Sequence, residues 1–129
     1  NFYNVSGWLD YILNEDTTPY EIARPLLNMS LLAPYLNRLQ ARGYEINIIS
    51  WTAKNGTREY NERVAKAKME WLNTHLASVH FDHIHIVEYG TPKHTIENGI
   101  LFDDEIGNRN AWGEGAYNVD RILEILHNL

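Results

Sequence analysis

Apolar and polar positions follow two periods along this chain, and the periods alternate. A three-to-four-residue spacing predicts a helix at residues 6–13, where Ser6 stands at the cap and Trp8, Leu9, Ile12 and Leu13 share a side. Residues 14–19 are polar and turn-like, and residues 20–27 read as a short helix interrupted by Pro25. A clearer helix follows, capped by Ser30, carrying Leu31, Leu32, Tyr35, Leu36 and Leu39, and closed by Gly43. Residues 44–50 (YEINIIS) read as a strand, and Trp51 begins a loop. Thr57 opens a long helix reaching about residue 76, with Val64, Ala67, Lys68, Trp71 and Leu72 along one side. Strands are expected at 83–88 (HIHIVE), 100–103 (ILFD) and 116–119. Between and after them come a turn with a short helical segment beyond residue 90, a helix at 106–112, and a closing helix at 121–127 capped by Asp120.

Strands alternating with helices predict an α/β domain with a parallel sheet. Such sheets bind ligands beyond the carboxyl ends of their strands. The residues just after each strand are therefore the ones to read for chemistry. They are Ser50, Trp51 and Thr52, then Lys93, then Asp103 and Asp104. A hydroxyl, a lysine and two carboxylates at one sheet edge suit phosphoryl transfer. Carboxylates hold Mg²⁺ through hard oxygens, lysine neutralises phosphate charge, and the hydroxyl donates to a phosphate oxygen. Taken singly, each has a plainer reading: a turn-forming serine, a surface lysine, an acidic helix cap.

Composition narrows the classes. The length of 129 residues suits one domain, and 44% hydrophobic residues with 22% charged are enough for a packed core. Seventeen acidic against 11 basic residues leave a formal charge of −6, which argues against binding a nucleic-acid polymer. With no cysteine, disulfides, thiolate metal sites and a cysteine nucleophile are excluded. No apolar run is long enough for a membrane span and no signal peptide is visible, so the expected location is cytoplasmic. No G-x-G-x-x-G and no P-loop is present, which weakens a nucleotide-binding module of another kind.

The strand-end residues resemble the haloacid dehalogenase-like hydrolase superfamily over about residues 28–129. Ser50 in EINIIS matches its second motif, Lys93 in YGTPKHTI its third, and Asp103-Asp104 in GILFDDE its fourth. The segment GILFDDEIGNRNAW is the most specific part of the match, and the Trp after Ser50, with the small helical segment before it, is similar to the 5′(3′)-deoxyribonucleotidase branch. The resemblance implies a Rossmann-like three-layer αβα sandwich at residues 30–129, with a mainly parallel sheet, and a small helical cap at 1–29. It implies a Mg²⁺-dependent phosphomonoesterase working through an aspartyl-phosphate on a small phosphomonoester such as a deoxynucleotide. Asp103 is then a Mg²⁺ ligand. Asp104 assists the metal or orients Lys93, Lys93 stabilises the phosphorylated intermediate, and Ser50 binds the phosphoryl group, with Trp51 and Thr52 beside it. Thr52 replaces Ser50 if the strand ends later.

The family's first motif, a strand ending in Asp-x-Asp, does not occur in the chain. Asp10 lies in an amphipathic helical context and Asp16 in a turn without the following glycine. The expectation is a nucleophile-bearing central strand upstream of Asn1, or supplied by another chain, or a chain whose residues 2–5 fill that place without catalysis. A non-catalytic phosphate- or Mg²⁺-binding module is the alternative function.

Other residues carry weaker signals. Trp8, Tyr11, Tyr20 and Arg24 line a substrate pocket if residues 6–27 form a cap, or else pack as a helical stripe. Lys54 and Arg58 either hold an anionic substrate or start a solvated helix. His83 and His85 share one face of a strand and suit a transition metal, with His80 in the loop before them, but no neighbouring acid in sequence completes the set. Glu59, Glu62, Arg63 and Lys66 read as an exposed, charge-laced helix face.

Overall fold

The computed structural model describes residues 28–129. The cap expected at 1–29, with Trp8, Tyr11, Tyr20 and Arg24, thus lies almost wholly outside the described residues. Helix α1 (Met29–Ala41) is capped by Asn28, whose side chain accepts from the Ser30 amide at 3.0 Å. The cap is therefore two residues earlier than Ser30. The Asn28 oxygen reaches the Ser30 amide and hydroxyl together, and Ser30 becomes a first-turn residue. Gly43 ends the helix as its left-handed residue, at φ +100°. Its amide bonds to Gln40 O and the Tyr44 amide to Leu39 O, the paired bonds of a Schellman closure.

Strand β1 (Asn47–Trp51) starts three residues later than its hydrophobic pattern and includes Trp51. Ile46 spends both main-chain groups on Asp82: its carbonyl accepts the Asp82 amide, and its amide donates to the Asp82 carboxylate, each at 2.8 Å. The regular ladder begins only after that knot. Helix α2 (Arg58–His75) has Thr57 as its cap, the hydroxyl accepting from the Tyr60 amide at 3.1 Å. Its buried side is Tyr60, Val64, Ala67, Lys68, Trp71 and Leu72, as the helical spacing requires. Strand β2 (His83–Val87) pairs parallel with β1, Asn47 opposite His83 through Trp51 opposite Val87.

A 3₁₀ turn at Lys93–Thr95 leads to β3 (Leu101–Phe102), α3 (Ile106–Trp112) and β4 (Ala116–Tyr117), and β3 pairs parallel with β4. A second 3₁₀ turn (Val119–Arg121) is capped by Asn118 rather than begun by Asp120, and α4 (Ile122–His127) follows. The Asn118 side chain receives the Asp120 amide, so the capping acceptor sits before the acid. Among the described residues the molecule is thus mixed α/β with four α-helices and short parallel strands in two two-stranded ribbons.

Strand alternation decides which ribbon face meets the core. Ile48 and Ile84 pack with Leu32, Leu39, Trp71, Leu72, Ile122 and Leu126 in one apolar cluster. Asn47, Ile49 and Trp51, level with His83, His85 and Val87, take the other face. A cleft of about 940 Å³ runs between the ribbons, walled by residues 44–54 on one side and 98–105 on the other. Among the described residues, β1 and β3 each have a strand partner on one side only. None of the described helices is long and apolar enough to cross a membrane.

Candidate functional site

The carboxyl ends of β1 and β3 bring Ser50, Lys93 and Asp103 into one region of this cleft. Asp103 directly follows β3 and is only 3% exposed. An ionised carboxylate so deeply placed needs partners, and it has three donors. Lys93 Nζ donates to Oδ2 at 2.7 Å, Asn108 Nδ2 donates to the same oxygen at 3.1 Å, and the Glu105 amide donates to Oδ1 at 2.9 Å. Arg109 donates to the residue's carbonyl at 2.9 Å. Burial works to raise the carboxyl pKa, but the Lys93 hydrogen bond, the Glu105 amide and the Lys93 charge outweigh it. The group is held below the ordinary carboxylate range.

Lys93 opens the 3₁₀ turn, and Pro92 fixes the chain before it. The ammonium also lies 5.5 Å from the centre of the Trp51 ring, a cation–π contact. Trp51 is itself held, its indole N–H donating to Thr91 O at 2.8 Å and its ring set edge-on to Tyr89. Trp51 thus links the end of β1 to the turn that presents Lys93.

Ser50 faces α2, and its hydroxyl accepts from Lys68 Nζ at 2.6 Å. The same ammonium donates to the Trp51 carbonyl at 2.6 Å. Lys68 is 8% exposed. Desolvation first, and then repulsion from Lys93, lower its pKa from 10.5 to about 8. Thr52 lies just past the strand, with its amide and hydroxyl both directed to Val87 O. It therefore serves the β1–β2 junction.

Asp104 is exposed, next to the Asp103 to which Lys93 bonds. Lys54 stands 5.8 Å from the Tyr89 ring, and Arg58 pairs with Glu62 on the solvated side of α2. Two members of this site went unread in the sequence. Lys68 stood in the apolar stripe of α2, and a lysine amid buried positions was the available signal. Asn108 gave none, being one polar residue of a short exposed helix.

A second polar cluster occupies the face of β1–β2 turned away from the apolar core. His83 Nδ1 is 3.4 Å from Glu97 Oε2 and 3.2 Å from Glu45 Oε1, and His85 Nε2 is 3.9 Å from Glu97 Oε1. One ligand atom from each of His83, His85 and Glu97 lies within 4.8 Å of the others. The acid missing from the histidine neighbourhood in sequence is supplied from beyond the 3₁₀ turn. His80 is not part of this group.

No family model, curated protein or solved structure matches the chain.

Proposed function

We propose that the chain forms the phosphate- and Mg²⁺-binding part of a phosphomonoesterase of the haloacid dehalogenase-like kind, acting on a small phosphomonoester such as a deoxynucleotide. One observation carries the reading: the buried Lys93–Asp103 pair and the Lys68–Ser50 pair stand at the carboxyl ends of neighbouring parallel ribbons. The Lys93 and Lys68 ammonium groups both line this cleft, which suits it to an anionic ligand. Lys93 and Lys68 would neutralise the transferring phosphoryl group, and the Ser50 hydroxyl would donate to one of its oxygens.

Mg²⁺ fits the donor set by type. It uses one or two carboxylates together with substrate phosphate and water. Three hydrogen bonds leave Asp103 Oδ1 with acceptor capacity, and Asp104 offers a second carboxylate. When bound, the ion supplies charge neutralisation at the phosphoryl oxygens. Asn108 and the Glu105 amide fix the Asp103 carboxylate, and Lys93 opposes its charge.

The nucleophilic carboxylate belongs, in this reading, to a strand filling the cleft between β1 and β3 and joining the ribbons into the central sheet of a three-layer Rossmann-like sandwich. Among the described residues, β1 and β3 each border this cleft with a strand partner on one side only, which supports that arrangement. A helical cap at 1–29 and a cytoplasmic location belong to the same reading. The alternative is a non-catalytic phosphate- or Mg²⁺-binding module built on the same residues, with Asp103, committed to three donors, as ligand or orienter in both readings.

The test is hydrolysis of p-nitrophenyl phosphate and deoxynucleoside monophosphates with Mg²⁺, alongside calorimetric binding of inorganic phosphate. Turnover that falls by about 10²–10³ in Lys93→Ala is the expected result. Phosphate binding without turnover assigns the chain to the non-catalytic alternative. Failure to bind phosphate overturns both.

A further inference from the structure

We propose that His83, His85 and Glu97 form a binding site for a divalent transition-metal ion of the Zn²⁺ type, using none of the residues that surround Asp103. The sequence places His83 and His85 two apart on β2, so both imidazoles project from one face. That face is turned from the apolar cluster, which takes Ile84 instead. The chain then turns through Lys93–Thr95 and returns Glu97 over the two rings.

The chemistry of the donors is specific. Two imidazoles and one carboxylate are a borderline set that suits Zn²⁺, Ni²⁺ or Fe²⁺, whereas Mg²⁺ prefers oxygen alone. Bonds of about 2.0–2.1 Å in a tetrahedron place ligand atoms roughly 3.4 Å apart. His83 lies 3.4 Å from one Glu97 oxygen and His85 3.9 Å from the other, and one ligand atom from each residue falls within 4.8 Å of the others, so small side-chain rotations would close the set on an ion. Glu45, at 3.2 Å from His83 Nδ1, is available as a fourth donor or leaves the position to water.

The second observation is independent of spacing. His85 Nε2 is buried and has no hydrogen-bond partner, which a polar atom rarely tolerates. A bound ion would satisfy it. The carboxylate is also pre-oriented: Asn47 Nδ2 donates to Glu97 Oε2 at 2.6 Å, while Asn47 Oδ1 accepts the His83 amide at 3.1 Å. One side chain on β1 thereby fixes both the carboxylate and the start of the histidine strand, the outer-shell support that metal ligands commonly have. The ion would tie β2 to the segment four residues beyond Lys93, and so steady the turn presenting that lysine.

Titration calorimetry of the full chain with ZnCl₂ tests this, with MgCl₂ as the control cation. One Zn²⁺ site is expected, lost in His85→Gln and in Glu97→Gln and weakened about 10–100-fold in Asn47→Ala. It is expected to persist in Asp103→Asn and in His94→Gln. Co²⁺ in place of Zn²⁺ should give the intense visible bands of a four-coordinate site in the wild type, in Asp103→Asn and in His94→Gln, and in neither His85→Gln nor Glu97→Gln. Should His85→Gln fail to fold by circular dichroism, His83→Gln carries the test, because that side chain is half exposed at the start of its strand. Zn²⁺ uptake that survives both histidine changes, is lost only with Asp103, or is absent from the wild type overturns the proposal.

Discussion

The two parallel ribbons border the same cleft and are built by different forces. The β1–β2 ribbon has five paired positions, and its inner face is welded to helices by aliphatic and aromatic side chains. The β3–β4 ribbon has two paired positions. Its shape is kept by polar groups converging on one residue, since Lys93, Asn108, Arg109 and the Glu105 amide all bond to Asp103. Hydrophobic burial is non-directional and scales with area, so a long ribbon can rely on it. A two-residue ribbon offers little area. There, direction comes from charge-assisted hydrogen bonds, which also set the geometry of a reacting group. The weaker ribbon is the one that carries Asp103, on which the proposed function rests.

The largest expected effect lies under the long ribbon. Trp71→Ala removes a 4%-exposed side chain from the main cluster and should cost about 3–5 kcal/mol, read by urea unfolding. Its loss should lower protection of both ribbons together. Asp103→Ala comes next, at roughly 3 kcal/mol, because Lys93, Asn108 and the Glu105 amide lose their shared acceptor. Hydrogen exchange should accelerate at the Leu101 and Asp103 amides, which bond to Gly115 and Tyr117, and stay slow at Thr52. Equal loosening of both ribbons would break the comparison.

The smallest effect concerns pH. The folded pKa of Lys68, near 8, lies below its unfolded value of 10.5, so the unfolded chain binds more protons between those limits. The destabilising contribution of the buried ammonium is complete below pH 8 and disappears as pH rises toward 10.5. Stability should therefore rise with pH across that window, a rise absent from Lys68→Met. A flat profile in the wild type would mean that Lys68 is better solvated than its burial implies.

Local patterns made much of the fold legible. The Thr57 cap, the buried stripe of α2, the Gly43 closure and the bounds of α3 all follow from neighbours within a few residues. Strand limits were less legible, because β1 is trimmed by Asp82, thirty-six residues beyond Ile46. Caps misled where two candidates stood close together, as Asn28 and Ser30 did. In the candidate site, the rule that parallel sheets collect chemistry at their strand ends points to Ser50, Lys93 and Asp103, and the three line one cleft. Glu97 was missed for the opposite reason: a turn brings it back to the middle of β2, and no periodicity encodes that return.

The contact between α1 and α4 has a consequence for biosynthesis. Tyr35 bonds to His127, Arg38 to the Leu126 carbonyl and Arg42 to the Leu129 carbonyl, across 92, 88 and 87 positions. A ribosome adding about 5–20 residues per second needs roughly 4–18 s to cover that distance. Through that interval the nascent helix carries Leu32 and Leu39 without the Ile122 and Leu126 surface that later helps to cover them. Chaperone engagement during translation should therefore concentrate on residues 29–41 and end when residues 122–129 emerge.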